Sequence, residues 1–179
     1  MDSEIKLSVL FTAEQIAVAV RRLAAEIRRD YLNKNPVLIA VLKGSFVFLA
    51  DLVRQLNFPL QIEFAQLSSY GRKRESAGKG KIKVVKDVKA DIKGRHVLVV
   101  EDIIDTGLTA AFFLEHLRQK QPASLKLCSL TDKPSRTQVK INIDYLGLTV
   151  PDKFIVGYGI DWDERFRYLP DICAIEDGG

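Results

Sequence analysis

The sequence predicts an α/β fold built on a mostly parallel central sheet flanked by helices. Three observations carry that expectation. Short apolar runs alternate with stretches of helical periodicity. Two of those runs, Val37–Leu42 and His96–Val100, are apolar but for His96, as strands covered on both faces are. Each is followed at once by glycine, hydroxyl or carboxylate residues, which would collect at the carboxyl edge of such a sheet, where ligands bind.

The elements follow in order. Thr12 and Gln15 form a capping box, and Ile16, Val20, Leu23, Ala24 and Ile27 share one face, so a helix is expected from Thr12 to about Asp30. Pro36 favours extended backbone before it and introduces the strand Val37–Leu42. A helix is expected over Phe46–Leu56 and a strand over Gln61–Ser69. From Tyr70 to Lys83 the chain holds three glycines, many cations and little to anchor it, which reads as a long mobile loop. Strand signals resume at Ile82–Val85, and His96–Val100 is the clearest buried strand. A helix then runs from about Thr109 to Gln119, and strands are expected at Leu125–Leu130 and Phe154–Ile160.

With 179 residues, 47% apolar and 28% charged, the chain suits one globular domain, residues 1–179. Its net charge of +4 suits phosphorylated small molecules and falls short of a nucleic-acid footprint. Cys128 and Cys173 lie in apolar runs, away from His96 and His116, so buried reduced thiols are expected rather than zinc ligands or a disulfide. The start MDSEIKLSVLF lacks the basic-then-apolar pattern of a leader, and no run approaches a membrane span; a cytoplasmic location without membrane or nucleic-acid partners is the expectation.

The chemistry concentrates in Val97–Thr109, VLVVEDIIDTGLT. Glu101 and Asp102 at a strand end suit hydrated Mg²⁺ or sugar hydroxyls. The turn Asp105-Thr106-Gly107-Leu108-Thr109 offers backbone N–H groups, two hydroxyls and a helix N-terminus to a phosphate. Three carboxylates are more than helix capping requires. Neither a Walker A nor a G-x-G-x-x-G fingerprint occurs.

VVEDIIDTGLT resembles the phosphoribosyl pyrophosphate signature of type I phosphoribosyltransferases, in the form used by the hypoxanthine-guanine branch. VLKGSFVFLADL, SSYG, LTDKPSR and PDKFIVGYGIDWDERFR match that branch in order and spacing. The resemblance implies the type I fold, with a small hood from residues of about 1–12 and 150–179 and a lid over about 69–83 closed by Ser69 and Tyr70. It implies pyrophosphate binding by Lys43, Gly44 and Arg167, with a cis Leu42–Lys43 peptide. It further implies phosphate binding by Asp105, Thr106, Gly107, Leu108 and Thr109, and acid/base work by Asp105. Glu101 and Asp102 would support ribose and Mg²⁺, joined by Asp161 as a metal ligand. Lys133 would donate to the purine O6, Phe154 and Ile160 would flank the base, Ile155 would read its edge by backbone, and Asp161 would lie beside it.

The implied substrates are phosphoribosyl pyrophosphate and hypoxanthine or guanine, the cofactor Mg²⁺, and the assembly a homodimer or homotetramer. Taken by themselves, Lys43 reads as a solvated loop cation, Phe154 and Ile160 as core, Asp161 and Asp163 as turn carboxylates, and Arg167 as their counter-charge. The family often carries a cation where this chain has Leu108, leaving backbone amides, Thr106 and Thr109 with more of the phosphate binding. A nucleotide-sensing RNA regulator on the same scaffold is the alternative, and the residues DKFIVGYGID and Lys133 favour the enzyme.

Overall fold

The computed structural model describes residues 5–70 and 81–176. In chain order the elements are β1 (Leu7–Phe11), α1 (Ala13–Tyr31), β2 (Val37–Leu42), α2 (Phe46–Leu56), β3 (Gln61–Tyr70), β4 (Lys81–Lys86), β5 (His96–Ile104), α3 (Leu108–Arg118), β6 (Ser124–Asp132), β7 (Tyr145–Thr149), β8 (Ile155–Val156) and β9 (Ile172–Ile175). A 3-10 turn at Pro134–Arg136 follows β6.

The six-stranded sheet runs β4-β3-β2-β5-β6-β7 and is parallel except for β4, which pairs antiparallel with β3. Strand β2 leads outward to β3 on one side, while β5 leads to β6 and β7 on the other. The order therefore reverses between β2 and β5, and a crevice opens beyond their carboxyl ends. Helices α1 and α2 cover one face, packing Ile16, Leu23, Phe48 and Leu52 against Leu38, Leu98 and Val100. Helix α3 covers the other with Phe113 and Leu117 against Val97 and Val99.

Helix α1 begins as its sequence requires. Thr12 N donates to Gln15 Oε1 (2.9 Å), and Gln15 N donates to Thr12 Oγ1 (3.4 Å), closing the box. Its Ala13 amide also donates to Asp171 Oδ1 at 2.7 Å, tying the helix start to the C-terminal segment. That segment belongs to a second, three-stranded antiparallel sheet of order β1-β9-β8, the hood. The hood joins the α1/α2 side of the core through Ile155, Tyr158, Ile160 and Ile172.

Several expectations are corrected. Strand β5 does not stop at Val100 but continues to Ile104, held by β6 through Glu101↔Ser129 and Ile103↔Thr131. The run Phe154–Ile160 is not one strand: β8 ends at Val156, and Gly157, Tyr158 and Gly159 take positive φ into a tight turn. A Cβ on Gly157 would stand 2.0 Å from Asp171 O, so this turn needs glycine. Ser69–Tyr70 and Lys81–Lys83, expected at the ends of a loop, lie on β3 and β4; residues 71–80 fall outside the described residues. Strands β1, β7 and β9 were not foreseen.

Candidate active site

A cleft of about 520 Å³ lies at the β2/β5 reversal, lined by Leu42, Gly44, Glu101, Asp102, Asp105–Thr109 and Arg136. Leu67 of β3 and Ile82 of β4 also border it, so the hairpin leading to residues 71–80 flanks the opening.

The turn Asp105–Thr109 is shaped by Gly107, whose φ of 79° makes it the left-handed N-cap of α3. A Cβ there would stand 2.3 Å from Val139 O. The carbonyl of Thr106 accepts from Gln138 N (3.0 Å) and Val139 N (3.1 Å), bracing the turn from behind. N–H groups of the first turn of α3 have no helical carbonyl before them, and Leu108 N donates to Thr106 Oγ1 at 3.4 Å. Leu108 is exposed and lines the cleft, adding no charge.

Glu101 and Asp102 both line the cleft at the end of β5. The strict alternation of β5 does not persist there, since Ile103 packs on the α1/α2 side and Ile104 on the α3 side. Glu101 is only 5% exposed; burial, with Asp102 beside it, pushes its carboxyl well above the usual range. Burial also pushes Asp102 up to about 6, against amide hydrogen bonds and Arg167 that favour its ionised form; Asp161 adds repulsion. The Asp102 carboxylate rests against Gly44, where a Cβ would lie 1.7 Å from Oδ2. Behind it, Thr131 Oγ1 donates to Asp102 O (2.8 Å), and Ser129 Oγ donates to Thr131 O (2.6 Å).

The loop after β2 meets the hood directly. The Leu42–Lys43 peptide is cis, and Ser45 Oγ donates to Val41 O at 2.6 Å beneath it. A Cβ on Gly159 would stand 2.4 Å from Gly44 O, so hood turn and loop are in backbone contact. Arg167 Nη1 donates to Gly159 O (2.8 Å), and its Nη2 lies 2.8 Å from Asp161 Oδ1. Lys43 and Arg167 converge on Glu164, with Lys43 Nζ 2.9 Å from Oε1 and Arg167 Nη2 3.3 Å from Oε2.

The residues expected around a base gather at the hood's free edge. Lys133 is 6% exposed and donates to Lys153 O at 2.7 Å, leaving two of its three donors. Phe154 is 50% exposed, while Ile155 and Ile160 are buried. Ile175 N donates to Phe154 O (2.8 Å), so the alternation of an antiparallel ladder turns the Ile155 N–H and C=O away from β9. These hood residues do not line the phosphate cleft itself.

Two residues at the site were missed from sequence. Arg136 Nε lies 3.0 Å from Asp105 Oδ1, and its Nη1 is 3.8 Å from Asp152 Oδ1. Its only signal was its place in LTDKPSR. Glu164 was passed over as one acid among several in DWDER. The carboxylates Glu101, Asp102 and Asp161 do not form one metal cluster, and no three His, Cys, Asp or Glu gather as one among the described residues.

A family model described as a phosphoribosyl transferase domain matches residues 7–163. A hypoxanthine-guanine phosphoribosyltransferase of Aquifex aeolicus (strain VF5) is 47% identical over 173 residues, covering 96% of both chains. A hypoxanthine-guanine phosphoribosyltransferase of Bacillus subtilis (strain 168) is 42% identical over 168 residues, covering 94% of this chain and 92% of that one. The crystal structure of a hypoxanthine-guanine phosphoribosyltransferase from Bacillus anthracis, with a HEPES molecule in its active site, has a TM-score of 0.89. It is 47% identical and covers 97% of this chain and 100% of that one.

Proposed function

The chain belongs to the phosphoribosyl transferase family, and on that premise we propose that it is a purine salvage enzyme. It transfers the 5-phosphoribosyl group of phosphoribosyl pyrophosphate to hypoxanthine, guanine or both, giving IMP or GMP and pyrophosphate. One observation supports the reading: a glycine-opened helix terminus and two carboxylates meet at the sheet's reversal, while Lys43 and Arg167 converge on Glu164 where the loop after β2 meets the hood.

In this reading the turn Asp105–Thr109 seats the 5′-phosphate, and Lys43, Gly44 and Arg167 receive the pyrophosphoryl group. Asp105, held by Arg136, moves a proton at the purine imidazole. Lys133 aims its free donors at the purine O6 and so prefers a 6-oxo base, while the exposed Phe154 and the buried Ile160 flank the ring and Ile155 offers backbone to its edge. Glu101, whose ionised form is disfavoured by burial, presents its carboxyl to a ribose hydroxyl.

Mg²⁺ fits this donor set as an ion arriving with the substrate rather than one caged by protein, because Asp102 and Asp161 repel each other and provide two carboxylates, not three. Asp102 and Asp161 would hold it, and it would neutralise charge growing on the leaving group. The β3–β4 hairpin carries the segment read as a lid, which would exclude water from an oxocarbenium-like centre.

No helix among the described residues is long and apolar enough to cross a membrane, and Cys128 and Cys173 are free and buried, as a reducing cytoplasm allows. Assembly as a homodimer or homotetramer belongs to the same reading; sedimentation at micromolar concentration showing only monomer would remove it. The decisive assay measures hypoxanthine, guanine, xanthine and adenine with phosphoribosyl pyrophosphate and Mg²⁺. Turnover of 6-oxopurines is expected. Adenine as the best base would refute the role of Lys133, and RNA binding without turnover of any purine would favour a regulator.

A further inference from the structure

We propose that Glu164 is an internal placeholder at the pyrophosphoryl seat, its carboxylate bridging the two cations there until a pyrophosphoryl group displaces it. This rests on the assignment of Lys43 and Arg167 made above. The geometry is direct: Glu164 Oε1 lies 2.9 Å from Lys43 Nζ and Oε2 lies 3.3 Å from Arg167 Nη2. One carboxylate therefore joins cations from the loop after β2 and from the hood. A pyrophosphoryl group would do the same with more charge and more acceptor oxygens.

The surroundings decide which group moves. Arg167 has a side chain only 18% exposed, and without Glu164 it keeps Gly159 O and Asp161 Oδ1, each at 2.8 Å. The turn carrying Glu164 is pinned by its own amide, which donates to Asp161 Oδ2 at 2.8 Å, and by the Trp162↔Arg165 bridge. Its side chain can therefore swing away while the backbone stays. Glu164 and Lys43 have side chains 64% and 56% exposed, and an ion pair so open to water holds weakly.

The placeholder keeps the two cations from repelling while the seat is empty of substrate. It also opposes both the donor and the product, and its return to Lys43 helps expel pyrophosphate.

The test is calorimetric titration of magnesium pyrophosphate into the wild type, Glu164→Gln, Lys43→Met and the double variant, with the KM for phosphoribosyl pyrophosphate measured beside it. Glu164→Gln should bind pyrophosphate about two- to fivefold more tightly, the size of one exposed ion pair, and lower the donor KM in parallel. In the Lys43→Met background that gain should shrink or vanish. Unchanged or weaker binding by Glu164→Gln would overturn the placeholder while leaving the seat intact. Lys43→Met binding pyrophosphate as tightly as wild type would show that the seat lies elsewhere, and the proposal would fall with it.

Discussion

Asp102 meets two opposed demands: packed against Gly44 and half-buried, it disfavours charge, yet a carboxylate that grips sugar or metal must be ionised. Its carboxyl, pushed up to about 6 from 3.8, binds a proton more tightly in the folded chain than in the unfolded one. That preference stabilises the fold below about pH 4 and is lost as pH rises through about 6. Asp102→Asn does not suffer the loss. Urea melts of the two proteins should therefore diverge between pH 4 and 7, the variant gaining on the order of 2 kcal/mol relative to wild type. Activity runs the other way: the donor KM should rise as pH falls below about 6, because protonated Asp102 is a poor ligand. Asp105→Asn keeps the shape of the turn but cannot shuttle a proton, so kcat should fall roughly 10²- to 10⁴-fold. Nucleoside monophosphate should still bind when titrated by calorimetry.

Among elements, α3 does the most with the least charge. Its first turn lacks an acidic residue, Gly107 supplies the left-handed N-cap, and Leu108 N donates to Thr106 Oγ1 at 3.4 Å. Gly107→Ala would put a Cβ 2.3 Å from Val139 O in a backbone conformation unfavourable to alanine. The turn would have to shift, and nucleotide affinity should drop by at least about tenfold, or 1.4 kcal/mol, with the melting temperature lowered as well. Leu108→Lys should act in the opposite sense. Position 108 is exposed at the cleft, so an added ammonium should tighten phosphate binding, and the gain should fade as salt rises. A gain that is indifferent to salt would mean the lysine points elsewhere.

At the scale of the whole molecule, the site depends on holding the hood against the α/β body. The bonds that do this are few and specific. Tyr158 Oη donates to Asp51 Oδ2 at 2.5 Å, Ala13 N donates to Asp171 Oδ1, and Gly159 abuts Gly44 O. Tyr158→Phe leaves the half-buried Asp51 carboxylate short of a donor, at a cost of about 1–2 kcal/mol. Because Tyr158 sits in the turn between Phe154 and Asp161, the KM for the base should rise more than that for the donor. Equal effects on both would show that the hood moves as one piece with the phosphate cleft.

Elements whose signal is local can be read from neighbouring residues alone. The capping box at Thr12 and Gln15, the apolar runs Val37–Leu42 and His96–Val100, and the glycine turn Asp105–Thr109 each follow from a few adjacent residues obeying helix, strand or turn chemistry. The rest emerges on folding, because it depends on partners distant in the chain. Strand β5 reaches Ile104 because β6 pairs with it, although Glu101 and Asp102 read as its end. Strands β1 and β9 are too short to declare themselves and form because each completes the other's hydrogen bonds. Gly147 disguises β7, yet a Cβ there would meet Leu130 O at 2.4 Å, so the glycine is what lets the strand lie alongside β6. The same holds for chemistry: Arg136 beside Asp105, and Glu164 between Lys43 and Arg167, are charges whose meaning lies in what the fold brings within 3 or so ångströms of them.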